Sequence, residues 1–244
     1  MKLAVSNIAW PAGADDRAVD VLRQHGVTGV ELAPTKVWPN PTAATPAEIA
    51  RVRDWWESRG IRVVAFQALL FGKPELVLFG SEAARDALAE HLDGIFRLAA
   101  AVGAGPLVFG SPKNRLVGAM PAEEAKRIAV DFFRRVGDAA TKRGVTLVLE
   151  ANPPAYGCDF VTRFGEAAEL VRAVDSPGFA LHLDTGGMAM TQDTVADAGG
   201  LVPAHYHISE PNLAPVGSDA AVPHATIVRD VRALGYEAWY SVEM

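Results

Sequence analysis

Residues 145–153, VTLVLEANP, form an apolar run in β-branched rhythm that stops on a carboxylate, Glu150, followed by Asn152 and two prolines. A strand covered on both faces has no place for a charge in its middle, so Glu150 marks the point where strand gives way to loop. Three later stretches end the same way. Residues 179–187 (FALHLDTGG) end on Asp184, 204–211 (AHYHISEP) on His207 and 237–244 (EAWYSVEM) on Glu243. Four successive strands thus carry one candidate metal ligand each, at the same end.

Outward from these strands the chain alternates. Residues 2–10 read as a strand, 15–25 as a helix stopped by Gly26, and 29–33 as the next strand. Thr45-Pro46-Ala47-Glu48 is a capping box with proline at the first helical position, opening a helix through Arg59 that Gly60 closes before a strand at 62–70. Ser81 caps a helix whose Leu88, Leu92, Ile95, Phe96, Ala99 and Val102 fall on one face, closed by Gly103. Residues 106–110 are the fourth strand. Pro121 opens a helix with the face Ile128, Phe132, Val136 and Ala140, closed by Gly144 ahead of the Glu150 strand. Helices at 163–174 and 221–234 precede the Asp184 and Glu243 strands, and a weaker glycine-ended segment at 192–200 precedes the His207 strand.

Eight strands alternating with seven helical segments is the pattern of an α/β protein of (β/α)8 type, a TIM barrel, in one domain over residues 1–244. An open doubly wound sheet fits less well, because the first strand lacks a G-x-G-x-x-G turn. The closing eighth helix is absent after Met244. The expectation is either a truncated sequence or a neighbouring subunit that covers the last strand.

Composition narrows the partners. The chain has 244 residues, half of them hydrophobic, which is enough for one large core. A net charge of −6 without a basic run argues against nucleic acid and polyanionic substrates. A single cysteine, Cys158, excludes an intrachain disulfide and fits a reducing compartment. No apolar run approaches the roughly 20 residues of a membrane span, and the first ten residues do not read as a signal peptide. A cytoplasmic protein is expected.

In a barrel, strand residues alternate inward and outward, and the last inward residue of each strand faces one mouth. Glu150, Asp184, His207 and Glu243 hold that position in strands five to eight. Three carboxylates and one imidazole would repel each other unless a cation sat between them. An oxygen-rich set with one nitrogen suits Mn²⁺, Mg²⁺ or Co²⁺, with Mn²⁺ foremost.

The motifs LVLEANP, LHLDTGG, HYHISEP and the terminal SVEM, in that order, resemble the metal-site strands of the xylose-isomerase-like TIM barrel superfamily, the sugar phosphate isomerase and epimerase family. The resemblance covers the alternation of the whole chain and is strongest from Glu150 onward. It implies one divalent metal held by Glu150, Asp184, His207 and Glu243. Glu150 and Glu243 would also be the catalytic acid–base pair on opposite faces of a small carbohydrate-like substrate. The implied reaction is isomerisation or epimerisation of a keto-sugar or polyol derivative through a cis-enediolate; alternatives are a metal-dependent lyase or dehydratase and a non-catalytic sugar-binding barrel. Dimers or tetramers are common in such barrels, so a homo-oligomer is implied as well.

Departures accompany the matches. Ketose epimerases of the superfamily usually carry a histidine three residues after the Asp ligand, an arginine six after the His ligand and a glutamate six after the first Glu ligand. Here those positions are Gly187, Leu213 and Tyr156. They point away from a standard free-hexose 3-epimerase, and the missing histidine also points away from a multi-metal DNA-repair site.

Other candidates gather near the expected mouth. Gln67, Lys113, Asn152, Tyr156 and His182 are assigned to substrate binding, and Ser111, Asn114 and Arg115 share the loop of Lys113. His205, two residues before His207, reads as a buried histidine behind the metal. Trp10, Trp38 and Phe71 could wall a sugar ring, and Glu31 could bind a hydroxyl or pair with Lys36.

Overall fold

The computed structural model describes residues 1–217 and 222–244. Eight parallel strands follow one another in sequence order and close into a barrel. They are β1 (Lys2–Ser6), β2 (Gly29–Leu32), β3 (Arg62–Phe66), β4 (Pro106–Phe109), β5 (Thr146–Leu149), β6 (Phe179–Asp184), β7 (His205–Ile208) and β8 (Trp239–Val242). Pairing of Lys2 with Trp239 and of Val5 with Val242 joins last to first. Around them run α1 (Asp15–Gln24), the single-turn α2 (Pro34–Val37), α3 (Pro46–Glu57), α4 (Glu82–Val102), α5 (Ala122–Arg143), α6 (Phe164–Val174), α7 (Thr185–Thr191) and α8 (His224–Ala233). This is the expected (β/α)8 TIM barrel. Among the described residues no helix is long and apolar enough to cross a membrane.

Local chemistry sets most boundaries as expected. Thr45 accepts from the Glu48 amide while Glu48 returns a bond to the Thr45 amide, so the capping box opens α3. Ser81 caps α4, and all six residues of its expected face are buried. The first strand stops at Ser6, not at Trp10, where a 3-10 turn over Asn7–Ala9 begins. Three further expectations need correction. The third strand stops at Phe66, not at Leu70, because Ala68 takes φ +53° and breaks the extension. Ile128 is only half-buried; the inner face of α5 runs instead through Ala129, Phe132 and Phe133, whose ring stacks on Phe179 at 4.7 Å. The third concerns the segment before β7. The helix there is α7, which starts directly after Asp184, and residues 192–200 hold only a 3-10 turn, Val195–Ala198. The Asp184 side chain accepts from the Gly187 amide at 2.6 Å and turns the chain at once into the helix. Two consecutive glycines hid that start. The expected start of the last helix at Ala221 lies outside the described residues.

The large apolar cluster lies between the strands and the helices. Inside the barrel the floor differs from the lower end. Trp239, at the start of β8, packs with Ala4, Val64 and Ala65 as a small separate cluster and plugs the bottom. Gly29 opens β2 against that plug. A methyl group there would stand 2.7 Å from the Trp239 ring and 2.9 Å from the Ala4 side chain. Gly29→Ala should therefore destabilise the fold by about 1–3 kcal/mol, the usual cost of overpacking a filled site. A urea-unfolding midpoint equal to that of the unaltered protein would refute the plug.

Candidate active site

Strand register builds the site in layers. Asp184 lies beside His207 in the β6–β7 pairing, and His182 beside His205, so two inward pairs stack two residues apart. The Glu150 amide donates to the Phe109 carbonyl and the Glu243 amide to the Ile208 carbonyl, which sets both carboxylates just past their strands. The four strand-end residues do converge. His207 Nδ1 is 3.2 Å from Glu243 Oε2 and 4.0 Å from Asp184 Oδ2. Possible ligand atoms of Glu150, His182, Asp184 and His207 all lie within 4.8 Å of one another.

Above them lies a cavity of about 640 Å³ at the C-terminal ends of the strands. Glu150, Asp184 and Glu243 reach it, with Gln67, Asn152 and Tyr156 on the walls. Ile8, Phe71 and Leu213 give it an apolar rim, and Phe71 is 72% exposed. Gly110 lets Glu150 in: a side chain there would collide with Glu150 Oε2. Tyr156 Oη accepts from the Asn212 amide at 2.9 Å, tying the loop after β5 to the loop after β7. A depression of about 470 Å³ between α4 and α5 is lined by none of these groups.

The electrostatics follow from crowding. Desolvation, with the Asp184 and Glu243 charges nearby, pushes Glu150 up to about 8. Desolvation and Glu243 likewise raise Asp184, although Ser209 and the Gly187 amide hydrogen-bond it. Burial alone would lower His207, but the Glu31 and Glu243 carboxylates outweigh it and hold this imidazole well above its ordinary value. Burial alone would raise Glu31, yet the two imidazoles beside it hold it well below the carboxylate range. Two raised carboxyls, Glu150 and Asp184, beside one imidazole form a donor set that fits a divalent cation. Glu150, Asp184 and His207 could hold one together with His182, and Glu243 stands beside His207.

Several weaker assignments move. Glu31 does not pair with Lys36. It is fully buried and meets His207 Nε2 at 3.0 Å and His205 Nε2 at 3.3 Å, while Lys36 donates to the carbonyls of Asn7 and Trp10. His205 accordingly sits behind His207, as expected. His182 is fully buried beneath the cavity and does not line it. Lys113 is exposed on its turn and also stands apart from the lining. Ser111 does line the cavity, but Asn114 donates to the carbonyls of Lys73 and Leu76, and buried Arg115 donates to the Glu150 carbonyl, so both brace loops. Of the three aromatic wall candidates only Phe71 reaches the cavity; Trp38 is buried against Phe66, and Trp10 donates to Asp15 on the outer face.

A profile of the xylose isomerase-like TIM barrel family matches residues 19–244. The chain belongs to this family. No curated protein matches the sequence. Among solved structures, this family member is similar to a D-psicose 3-epimerase determined in the presence of D-fructose, with a TM-score of 0.81 and 17% identity over 99% of this chain and 84% of that one. It is similar to 3-keto-D-glucoside 4-epimerase, YcjR, from E. coli, with a TM-score of 0.78 and 16% identity over 100% and 91% of the two chains. It is also similar to the IOLI protein solved with a binding zinc atom, with a TM-score of 0.76 and 19% identity over 100% and 89%. At these identities the likeness is one of fold.

Residues missed in the sequence mostly serve the strand-end group from behind. Ser209 Oγ donates to Asp184 Oδ2 and accepts from the Gly186 amide, while Thr185 Oγ1 donates to the Ser209 carbonyl at 2.9 Å. Glu210 lines the cavity and accepts from His224 and the Gly217 amide. The run SEP beside His207 was the only available signal for Ser209 and Glu210.

The raised groups fix a pH dependence. An unfolded chain ionises Glu150 near the ordinary 4.5, the folded one only near 8, so folding loses stability as pH rises between those values. His207 adds the same sign, since stability from a raised imidazole is lost as pH climbs through its folded pKa. In EDTA the melting temperature should fall between about pH 6.5 and about pH 8, above the range in which buried His182 contributes the opposite sign. Glu150→Gln should flatten that decline, and an unaltered slope would exclude Glu150 as its source.

Proposed function

We propose that the protein is a divalent-metal-dependent isomerase or epimerase of a keto-sugar or polyol derivative, working through a cis-enediolate. The observation that carries this reading is that Glu150, Asp184 and Glu243 line one cavity, with buried His207 against Asp184 and Glu243. Two of the similar structures named above are epimerases of a ketose and of a keto-glucoside, which supports the substrate class.

When bound, Mn²⁺, Mg²⁺ or Co²⁺ would supply Lewis acidity to a substrate carbonyl and the adjacent hydroxyl. The protein's own groups do the rest. Glu150 takes the proton from the carbon next to the carbonyl, and Glu243, on the other side of the site, returns one. Return to the opposite face of the same carbon gives an epimer; return to the neighbouring carbon gives an isomer. Glu31 keeps the His207 ring in one orientation through Nε2, which leaves Nδ1 facing the site. Gln67, Asn152 and Tyr156 offer hydrogen bonds to substrate hydroxyls. The apolar rim of Ile8, Phe71 and Leu213 favours a substituted sugar over a free hexose, whose hydroxyls would meet no partner there.

Glu150→Gln should remain folded by circular dichroism and lower by at least about a hundredfold the exchange of substrate carbon-bound hydrogen with deuterium oxide. Exchange at the original rate would remove Glu150 from the mechanism. Elemental analysis should find one divalent ion per chain in the unaltered protein and none in Asp184→Ala.

A further inference from the structure

One buried side chain remains without a role. His182 on β6 is fully buried, and among the described residues neither of its ring nitrogens has a hydrogen-bond partner. Every imidazole carries at least one N–H, and a neutral one also has a free lone pair, so burying both nitrogens unpaired leaves their lost hydration uncompensated. Such an orphan is rare in a folded interior and calls for a missing partner.

The surroundings say which partner. His182 lies two residues before Asp184 on the same strand and one layer deeper, so it faces the underside of the strand-end group. Its ring centroid is 4.3 Å from that of His207, edge to face, and 5.3 Å from that of His205. Neither neighbour satisfies it, because both turn Nε2 to Glu31. A ring nitrogen of His182 instead lies within 4.8 Å of possible ligand atoms on Glu150, Asp184 and His207 at once.

We propose that His182 is a fifth ligand of the cation, donating a ring nitrogen from beneath to the site formed by Glu150, Asp184, His207 and Glu243. This rests on the metal site of the proposed function. It changes that site from one nitrogen to two. Imidazole nitrogen suits Co²⁺, Ni²⁺ and Zn²⁺ and adds little for Mg²⁺ or Mn²⁺, so His182 tunes metal choice more than it creates the site.

The test counts nitrogens. Protein labelled with ¹⁵N-histidine and loaded with Mn²⁺ is measured by pulsed electron paramagnetic resonance, and two directly bound nitrogens are expected. In His182→Phe, which keeps a ring of similar size and removes both nitrogens, one should remain. Chelator competition should show the affinity for Co²⁺ and Zn²⁺ falling by about tenfold or more in His182→Phe, against less than about threefold for Mg²⁺. One bound nitrogen in the unaltered protein overturns the proposal while leaving the strand-end site standing. Failure of the unaltered protein to bind any of these ions overturns both readings. If His182→Phe does not fold, the nitrogen count in the unaltered protein still decides.

Discussion

Glu31 and His207 meet across the barrel at 3.0 Å, both fully buried and 176 residues apart in the chain. A carboxylate so placed would ordinarily be driven neutral by its surroundings, and an imidazole would lose its proton. Each instead keeps the other charged. Through this contact the His207 ring is fixed, with Nδ1 turned up toward Glu243 and Asp184. Removing Glu31 would leave Nε2 of a buried imidazole without its partner, a cost above the worth of an exposed ion pair. The floor of the cavity is therefore built from below, on a pair that itself never reaches the cavity.

That arrangement shapes the whole interior. Barrel cores of this type are generally filled by layers of branched apolar side chains. Here Ser6, Glu31, Gln67, His182, His205, His207 and Ser241 are all buried, beside an apolar plug of Trp239, Ala4, Val64 and Ala65. Polar interiors contribute little net stability, because hydrogen bonds to water are exchanged for hydrogen bonds within the protein. The apolar shell between strands and helices must then carry the fold, and its size, reaching from Val19 to Tyr240, is consistent with that load. The interior is free to serve the site.

The barrel was legible in the sequence because its signals are local. Glycine after an amphipathic helix and before a β-branched run needs no knowledge of distant contacts. The strand-end carboxylates and His207 were legible for the same reason: a charge that ends an apolar strand is conspicuous. What escaped depends on pairs far apart in sequence. Glu31 ends β2 as visibly as Glu150 ends β5, yet its partners stand on β7, so nothing nearby distinguished it from a hydroxyl-binding group or a partner for Lys36. Arg115 and Asn114 look like solvent-facing loop residues until the chain folds over them. The start of α7 was obscured by chemistry, since Asp184 is at once the end of a strand, the cap of a helix and a member of the site.

That triple duty bears on substrate choice. A side chain at Gly187 would begin 3.0 Å from Asp184 Oδ1, the atom that caps α7 through the Gly187 amide. A histidine at this position would have to share that crowded turn, and the chain keeps glycine instead. The loops after β5 and β7 are tied by Tyr156 and Asn212 where the resemblance anticipates a glutamate at 156 and an arginine at 213. The polar grip expected for a free hexose is thus replaced by a phenol, an amide and the apolar Leu213. Floor and rim vary independently: the proposed proton transfer needs only the strand ends, which the barrel holds rigidly, whereas the substrate is chosen by loops that the barrel merely supports. The chemistry of this site can therefore follow its fold relatives without its substrate having to.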